Sequence, residues 1–280
     1  MIPVEQVTEA LCAHGEGPVW DTRDDSLRWV DMIDGAVLRL DPVHDAAPSI
    51  VRIGPWAAAL RPRAGGGWVI AVKDGFVLAD ADLRLEREIR AFDDSRLRMN
   101  DGACATDGSF LCGTAGPGAV GYLFRLDPSG AVSVLADGIS ISNGLVADPL
   151  SEAMFYVDTA TRRIDRLRLV GGVLAEREPF ADLSTSEGLP DGIAADADGG
   201  VWVAMWGAGE VIRIGPDGRQ DARIELPTPH VSACAFGGAQ LEDLYITTSQ
   251  QDLPRRDASA GALFRAQPGV RGVPTLPFEG

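Results

Sequence analysis

The stretch Ser186-Glu187-Gly188-Leu189-Pro190-Asp191-Gly192 shows the unit from which this chain is built. In it, Asp191 stands directly before a glycine, and the pair opens the apolar run 193–195. An acidic or amide residue followed by glycine opens three other apolar runs, at Glu16-Gly17, Asp101-Gly102 and Asn143-Gly144. Two degenerate copies, Ala57-Ala58 and Ser232-Ala233, begin two more.

These six pairs recur at a regular interval. Their second residues stand at 17, 58, 102, 144, 192 and 233, so the gaps are 41, 44, 42, 48 and 41 residues. A repeat of about forty residues is typical of a β-propeller, in which each repeat forms one four-stranded blade. Short apolar runs separated by Gly, Asp and Pro turns, without helical periodicity, indicate an all-β chain. The sequence therefore predicts a single domain over residues 1–280, a six-bladed β-propeller with four-stranded antiparallel blades.

The segment before the first pair has no blade of its own. Residues 2–11 read as a strand, and propellers commonly close the ring by adding a terminal strand to the last blade. We therefore predict that the N-terminal strand, near Val4 to Thr8, pairs in the sixth blade and closes the propeller.

Composition limits the partners of the chain. The 280 residues carry 25 Lys and Arg against 41 Asp and Glu, a net charge of -16, which repels phosphate backbones and argues against nucleic acid as a partner. No run approaches the roughly 18 apolar residues of a membrane span. The first ten residues carry Glu5 and Glu9 and lack the apolar core of a signal peptide. We expect a cytoplasmic protein that does not bind membranes.

The cysteines point to the same compartment. Cys12, Cys104, Cys112 and Cys234 include no Cys-x-x-Cys pair, so they read as reduced core residues. Cys104 and Cys112 are close enough in sequence to face each other across a hairpin, and the sequence leaves open whether they are bonded.

The polar residues of the repeated pairs are candidates for a binding site. Inner strands of a propeller run along its channel, so residues at their starts meet at one mouth: Glu16, Asn100 with Asp101, Asn143 and Asp191. Converging carboxylates need a positive charge between them, and oxygen ligands suit Ca²⁺, Mg²⁺ or Mn²⁺. The alternative is that these pairs are only turn formers. Four pairs in one register favour a divalent-cation site.

In these motifs the chain resembles the senescence marker protein/gluconolactonase/regucalcin family. The resemblance extends from about Gly15 to Gly272. It rests on Gly15-Glu16-Gly17-Pro18-Val19-Trp20, Arg98-Met99-Asn100-Asp101-Gly102, Ser142-Asn143-Gly144, Pro190-Asp191-Gly192-Ile193, Trp202-Val203-Ala204-Met205-Trp206-Gly207, Phe236-Gly237-Gly238 and Gly261-Ala262-Leu263-Phe264-Arg265. Family members are six-bladed propellers that hold one divalent metal in the channel.

The resemblance implies roles for individual residues. Glu16, Asn143 and Asp191 would be the metal ligands, with Asp191 also the catalytic base. Arg98, Asn100 and Asp101 would bind substrate, and Asn100 would either do so or lie at the metal. Ca²⁺ is the ion we expect first, with Mn²⁺, Mg²⁺, Zn²⁺ and Fe²⁺ as alternatives.

One expected residue is missing. Some family members have a sugar-binding glutamate before the third strand of the third blade, whereas the stretch 117–122 here contains no acid. The identity of the sugar is therefore open, although the absence of this glutamate does not affect the expected metal site.

Four other residues have two interpretations. His14 and His230 are either catalytic or supporting histidines near the mouth, Arg98 is either a substrate contact or a surface arginine, and Trp206 either packs or stacks on a sugar ring.

The activity implied is hydrolysis of a sugar lactone, with the cation acting as a Lewis acid and Asp191 orienting or deprotonating the attacking water. The alternatives are phosphotriester or other ester hydrolysis at the same metal, and calcium binding without turnover. We expect a small sugar lactone as partner and a monomer or weak dimer in solution. The sequence leaves the particular lactone, the native metal and the oligomeric state open.

Overall fold

A computed structural model describes residues 2–253, 255 and 257–280. In these residues the chain forms 24 strands in six four-stranded antiparallel sheets, which we number as blades in chain order. Neighbouring blades contact each other through their inner strands, and the sixth inner strand returns to the first, which closes the ring. The prediction of an all-β, six-bladed propeller is confirmed.

Each blade runs from an inner strand at the channel to an outer strand at the rim. Blade 1 contains β2 (Gly15–Asp21), β3 (Ser26–Asp31), β4 (Ala36–Leu40) and β5 (Ser49–Arg52). Blade 2 contains β6 (Ala59–Pro62), β7 (Trp68–Val72), β8 (Gly75–Ala79) and β9 (Leu85–Arg90). Blade 3 contains β10 (Arg98–Cys104), β11 (Phe110–Ala115), β12 (Gly121–Leu126) and β13 (Val132–Ile139).

The second half of the ring follows the same plan. Blade 4 contains β14 (Ser142–Ala147), β15 (Met154–Asp158), β16 (Arg163–Val170) and β17 (Val173–Asp182). Blade 5 contains β18 (Leu189–Ala195), β19 (Val201–Trp206), β20 (Glu210–Ile214) and β21 (Gln220–Glu225). Blade 6 contains β22 (Val231–Gly237), β23 (Asp243–Thr248), β24 (Leu263–Ala266) and β1 (Val4–Gln6).

A single turn of 3-10 helix, Thr159–Thr161, follows β15 at the mouth. Over the described ranges, no helix has the length and apolarity needed to cross a membrane.

Burial falls from the channel to the rim. Every residue of β2 and β3 is buried, whereas every residue of β5 is exposed. Stacked neighbours cover both faces of the middle strands, so such a strand can be apolar without alternation, as in Val201–Trp206. The outer strands are polar or mixed, and β9 reads Leu-Glu-Arg-Glu-Ile-Arg.

All four cysteines are buried and unpaired. In the β10–β11 hairpin Cys112 pairs with Gly102, and Cys104 pairs with Phe110, so the two thiols are not cross-strand partners. The question of a bond between Cys104 and Cys112 is thereby answered: there is none.

The N-terminal strand closes the ring as predicted. β1 pairs with β24 in antiparallel register, with Val4 opposite Ala266 and Gln6 opposite Phe264. The strand ends before Thr8, whose hydroxyl instead accepts a hydrogen bond of 3.0 Å from the Leu263 N–H. The first and last parts of the chain therefore share one sheet.

Deleting residues 1–10 is expected to destabilise the whole propeller, because the deletion leaves the edge of β24 bare and the sixth blade one strand short. For a chain of this size about 1 kcal/mol corresponds to a Tm change of roughly 2–4 °C, so the loss of a strand should be plain in a thermal melt. The control is Glu5→Ala, which removes only the exposed ion pair with Arg265 and should change stability little. Unchanged melting of the truncated protein would contradict this role for β1.

A β-bulge interrupts the pairing of the inner strand near the mouth in five of the six described sheets. The pairing shifts at residues 16–19, 99–102, 142–145, 190–193 and 231–233. The inner strand of blade 2 pairs with β7 without a shift, and its repeat begins with the degenerate Ala57-Ala58. Bulges re-aim side chains, so they turn the polar residue of each pair towards the axis.

The glycines of the pairs allow the inner strands to approach one another. A Cβ at Gly192 would lie 2.4 Å from the Cβ of Ala233 in the next blade. Gly17 has φ +53°, in the left-handed region that glycine favours. A larger residue at Gly192 would push β18 and β22 apart, whereas one at Gly17 would be strained by the left-handed backbone.

The end of the chain crosses the face opposite the mouth. This C-terminal strap, residues 272–280, donates hydrogen bonds from Gly272 to Leu241 O, from Phe278 to Pro62 O and from Glu279 to Gly108 O, at 2.8–3.0 Å. Residues 273–276 line the lower channel cavity, which has a volume of about 80 Å³. The strap therefore covers that end of the channel.

Candidate active site

A pocket of about 180 Å³ opens at the mouth of the channel. Five of the six predicted metal- and substrate-binding residues line it, namely Glu16, Arg98, Asn100, Asn143 and Asp191. They come from blades 1, 3, 4 and 5, so the ring brings together residues up to 175 positions apart (191 minus 16).

Asp101 is placed differently from its neighbour Asn100. It lines the lower channel cavity together with Arg61, below the mouth pocket. Its Oδ1 accepts a hydrogen bond of 2.7 Å from the Gly102 N–H. The β10 bulge thus separates two adjacent side chains, and Asp101 contributes its charge to the site from beneath.

The carboxyl groups of the site are buried and close enough to repel one another. Burial, and then the charge of Asp101, raises the pKa of Glu16. Burial raises the pKa of Asp191 well above its usual value, and the charges of Glu16 and Asp101 add to this. Arg98 and Arg61 offset part of this repulsion, and a bound cation would offset it further.

Asp191 has an incomplete set of hydrogen bonds. Its Oδ1 is buried and has no hydrogen-bond partner among the described residues. A buried carboxylate oxygen without a partner is costly, and a bound cation would satisfy it. Glu16 is better supported, since its Oε2 accepts a hydrogen bond of 3.0 Å from the Gly17 N–H.

An amide network fixes the oxygen of Asn143. Its Oδ1 accepts a hydrogen bond of 2.9 Å from Asn100 Nδ2, and its own Nδ2 donates to Thr159 Oγ1 at 2.8 Å. Thr159 in turn donates to Pro190 O at 2.9 Å. The carboxamide oxygen retains a second lone pair that can face a cation.

The donor set is two carboxylates and an amide. In the part of the chain that the structure describes, no group of three His, Cys, Asp or Glu side chains is arranged to hold a metal ion. A site at Glu16, Asn143 and Asp191 would therefore rely on the amide oxygen as its third protein ligand. All three ligands are oxygens, the type that Ca²⁺ and Mg²⁺ prefer.

Arg98 is held at the pocket rather than extended into solvent. Its guanidinium lies over the Trp56 ring, 4.7 Å from the ring centroid, and donates to Asn100 Oδ1. Its position on the pocket wall favours a substrate contact over an ordinary surface role.

The two histidines near the mouth occupy different positions. His14 lines the pocket, its Nδ1 is 2.7 Å from Ser249 Oγ, and its Nε2 is 3.8 Å from Glu16 Oε1. Burial, and then the charge of Arg98, lowers the pKa of His14 to about 3, so the ring is neutral at pH 7. His230 stacks on Trp206, with ring centroids 4.1 Å apart. Trp206 therefore both packs against a histidine and lines the pocket.

Several pocket residues have no role in the sequence analysis, namely Ile141, Thr159, Leu189, Gln251 and Asp252. The sequence does contain a signal for Ile141, because β3 and β15 both end in Val-Asp. Asp31 accepts hydrogen bonds from the N–H groups of residues 13 and 14, and Asp158 accepts from those of 140 and 141. The other four carry no comparable signal.

Comparison with known proteins gives a match over most of the chain. Residues 14–250 match the family described as the SMP-30/Gluconolactonase/LRE-like region. The pentonolactonase XacC of Haloferax volcanii is 34% identical and covers 97% of this chain and 96% of its own length. Regucalcin of Xenopus laevis is 30% identical and covers 100% of this chain and 99% of its own.

A solved structure shows the same architecture. Regucalcin from Agrobacterium tumefaciens, described as a calcium-binding protein, superposes with a TM-score of 0.92 at 26% identity. The alignment covers 100% of this chain and 98% of that one.

Proposed function

The chain belongs to the SMP-30/gluconolactonase/LRE-like family, and we propose that it hydrolyses sugar lactones with the help of a divalent cation in the mouth pocket. The observation that carries this proposal is the meeting of Glu16, Asn143 and Asp191 beside Arg98 and Asn100 in one pocket. The pentonolactonase relative supports the reaction class, and the regucalcin relatives support a cation site.

Glu16, Asn143 and Asp191 would hold the cation. The unpartnered Oδ1 of Asp191 and the mutual repulsion of the carboxyl groups fit this role. The oxygen donors favour Ca²⁺, with Mg²⁺ and Mn²⁺ as alternatives. When bound, such a cation polarises a carbonyl as a Lewis acid and makes water more acidic.

Side chains of the protein would bind the substrate and transfer the proton. Arg98 and Asn100 hold the hydroxyl groups of the lactone and orient its carbonyl carbon towards Asp191. Asp191 takes a proton from the attacking water as the new C–O bond forms. The ring C–O bond then breaks, and the proton passes from Asp191 to the departing ring oxygen. The products are one carboxyl and one hydroxyl group in an open-chain acid.

Acid release from a panel of aldonolactones tests the proposal. The protein is stripped with a chelator and assayed in a pH-stat with Ca²⁺, Mn²⁺, Mg²⁺ and Zn²⁺ added singly. We expect turnover above the spontaneous rate that disappears after chelation and returns with at least one ion. Calorimetric binding of Ca²⁺ without turnover of any lactone would instead favour the calcium-binding alternative. Turnover of phosphotriesters but not lactones would favour the esterase alternative.

A further inference from the structure

One side of the mouth pocket is apolar. Ile141 precedes β14 in blade 4, while Leu189 begins β18 and Trp206 ends β19 in blade 5. Leu189 and Trp206 are direct cross-strand partners, so their side chains lie on the same face of the sheet. Leu189 is 38% exposed and Ile141 37%, so both side chains are accessible from the pocket that they line. We call these three residues the apolar wall.

The apolar wall is held in place before any ligand binds. His230 stacks on the Trp206 ring, and the His14 ring meets it edge-on at 5.6 Å between centroids. The backbone of Ile141 is fixed at both ends, since its N–H donates to Asp158 Oδ1 at 3.0 Å and its carbonyl accepts from the Thr159 N–H at 3.0 Å. The wall is therefore a preformed surface.

The remaining sides of the pocket are polar. Arg98 comes from blade 3, His14 from the start of blade 1, and Gln251 and Asp252 from the loop after β23 in blade 6. Blades 4 and 5 thus supply the apolar wall above the candidate ligands, while blades 6, 1 and 3 supply hydrogen-bonding groups.

A lactone bound over Asp191 would contact both the apolar wall and the polar side of the pocket. A hydroxyl group pressed against the apolar wall would lose its hydrogen bonds to water and find no replacement, which is unfavourable. A methyl or alkyl group in the same place would gain by leaving water. The hydroxyl groups of the ring can still reach Arg98 and the other polar residues.

We propose that the preferred substrate is a sugar lactone whose exocyclic end is apolar, a deoxy or alkyl-substituted aldonolactone, with that end packed against Ile141, Leu189 and Trp206. This inference rests on the proposed lactonase function and specifies its substrate class.

The test compares two lactones that differ by one oxygen, D-gluconolactone and 6-deoxy-D-gluconolactone, in the metal-loaded protein. We expect kcat/KM for the deoxy lactone to be about 10-fold higher, the lower end of the range for one small group in an apolar pocket. Equal values, or a preference for the hydroxylated lactone, would overturn the inference and leave the lactonase proposal standing. Turnover of neither lactone would overturn the inference, and turnover of no aldonolactone in the wider panel would overturn the lactonase proposal as well.

Variants assign the preference to the apolar wall. Leu189→Asn should reduce the ratio of the two kcat/KM values to about 1 or reverse it. The matched control is Leu85→Asn, which makes the same change at a 44% exposed position on the outer strand of blade 2 and should keep the wild-type ratio. If Leu189→Asn does not fold, Ile141→Asn makes an equivalent test. A ratio that is unchanged in a folded wall variant would show that these residues do not set the preference.

Discussion

Asp191→Asn is expected to lower lactone turnover by roughly 10²–10⁴-fold with the metal at saturation, the usual contribution of a general acid–base group. Asparagine keeps one neutral oxygen that can still contact a cation, but it cannot accept the proton of the attacking water. Beside a divalent ion the ionised form of Asp191 is favoured, although burial alone raises the pKa of this carboxyl. The residue is thus charged in the loaded protein and able to act as a base.

The measurement is kcat at several metal concentrations, so that lost occupancy is not mistaken for lost chemistry. Asp137→Asn makes the same substitution at an exposed position of β13, and we expect it to leave turnover unchanged. Near wild-type turnover in metal-saturated Asp191→Asn would reduce Asp191 to a ligand at most. The base would then have to be sought among the other groups that line the mouth pocket.

Glu16→Gln is expected to weaken metal binding far more than Asn143→Asp does. The first variant removes one of the two proposed carboxylate ligands, and its effect should exceed the roughly 10–100-fold that is typical of losing an outer-sphere partner. Asn143→Asp keeps an oxygen donor and adds a negative charge, although it gives up the N–H that Asn143 donates to Thr159.

Calorimetric titration of both variants with Ca²⁺ and Mn²⁺ measures this order directly. Thr159→Val provides a matched comparison for Asn143→Asp, because it removes the same hydrogen bond without changing the charge of the proposed ligands. Wild-type affinity in Glu16→Gln would refute the ligand role of Glu16.

The ring was predictable because its inner strands carry a local signal. Each pair such as Asn143-Gly144 combines a polar side chain that the bulge turns inward with a glycine that the crowded axis requires. The outer strands carry no such signal. Residues Ser49–Arg52 are all exposed, and their pairing is set by the neighbouring strand β4 rather than by a buried apolar face. The prediction of four-stranded blades therefore rests on the forty-residue repeat rather than on a pattern within the outer strands.

The candidate site could be predicted from the sequence only for the residues that share one position in the repeat. The shared register indicated that Glu16, Asn143 and Asp191 would meet, and the structure places them in one pocket. It did not separate Asn100 from Asp101, because a bulge is a feature of strand pairing and not of residue periodicity. Gln251 comes from a loop that is held by hydrogen bonds from Gln250 to the carbonyls of Cys12 and Ala13, which lie 238 and 237 residues before Gln250. Single-sequence patterns cannot report contacts of that separation.

The pairing of β1 with β24 also dictates when this protein can finish folding in the cell. The strand ends at Gln6 and its partner begins at Leu263, so the 256 residues from 7 to 262 must be translated between them. At about 5–20 residues per second, the first strand waits on the order of tens of seconds on the ribosome for its partner. During that time the growing chain presents unpaired strand edges of the kind that aggregate. Ring closure, and with it a complete mouth pocket, must therefore follow the emergence of the sixth blade from the ribosome.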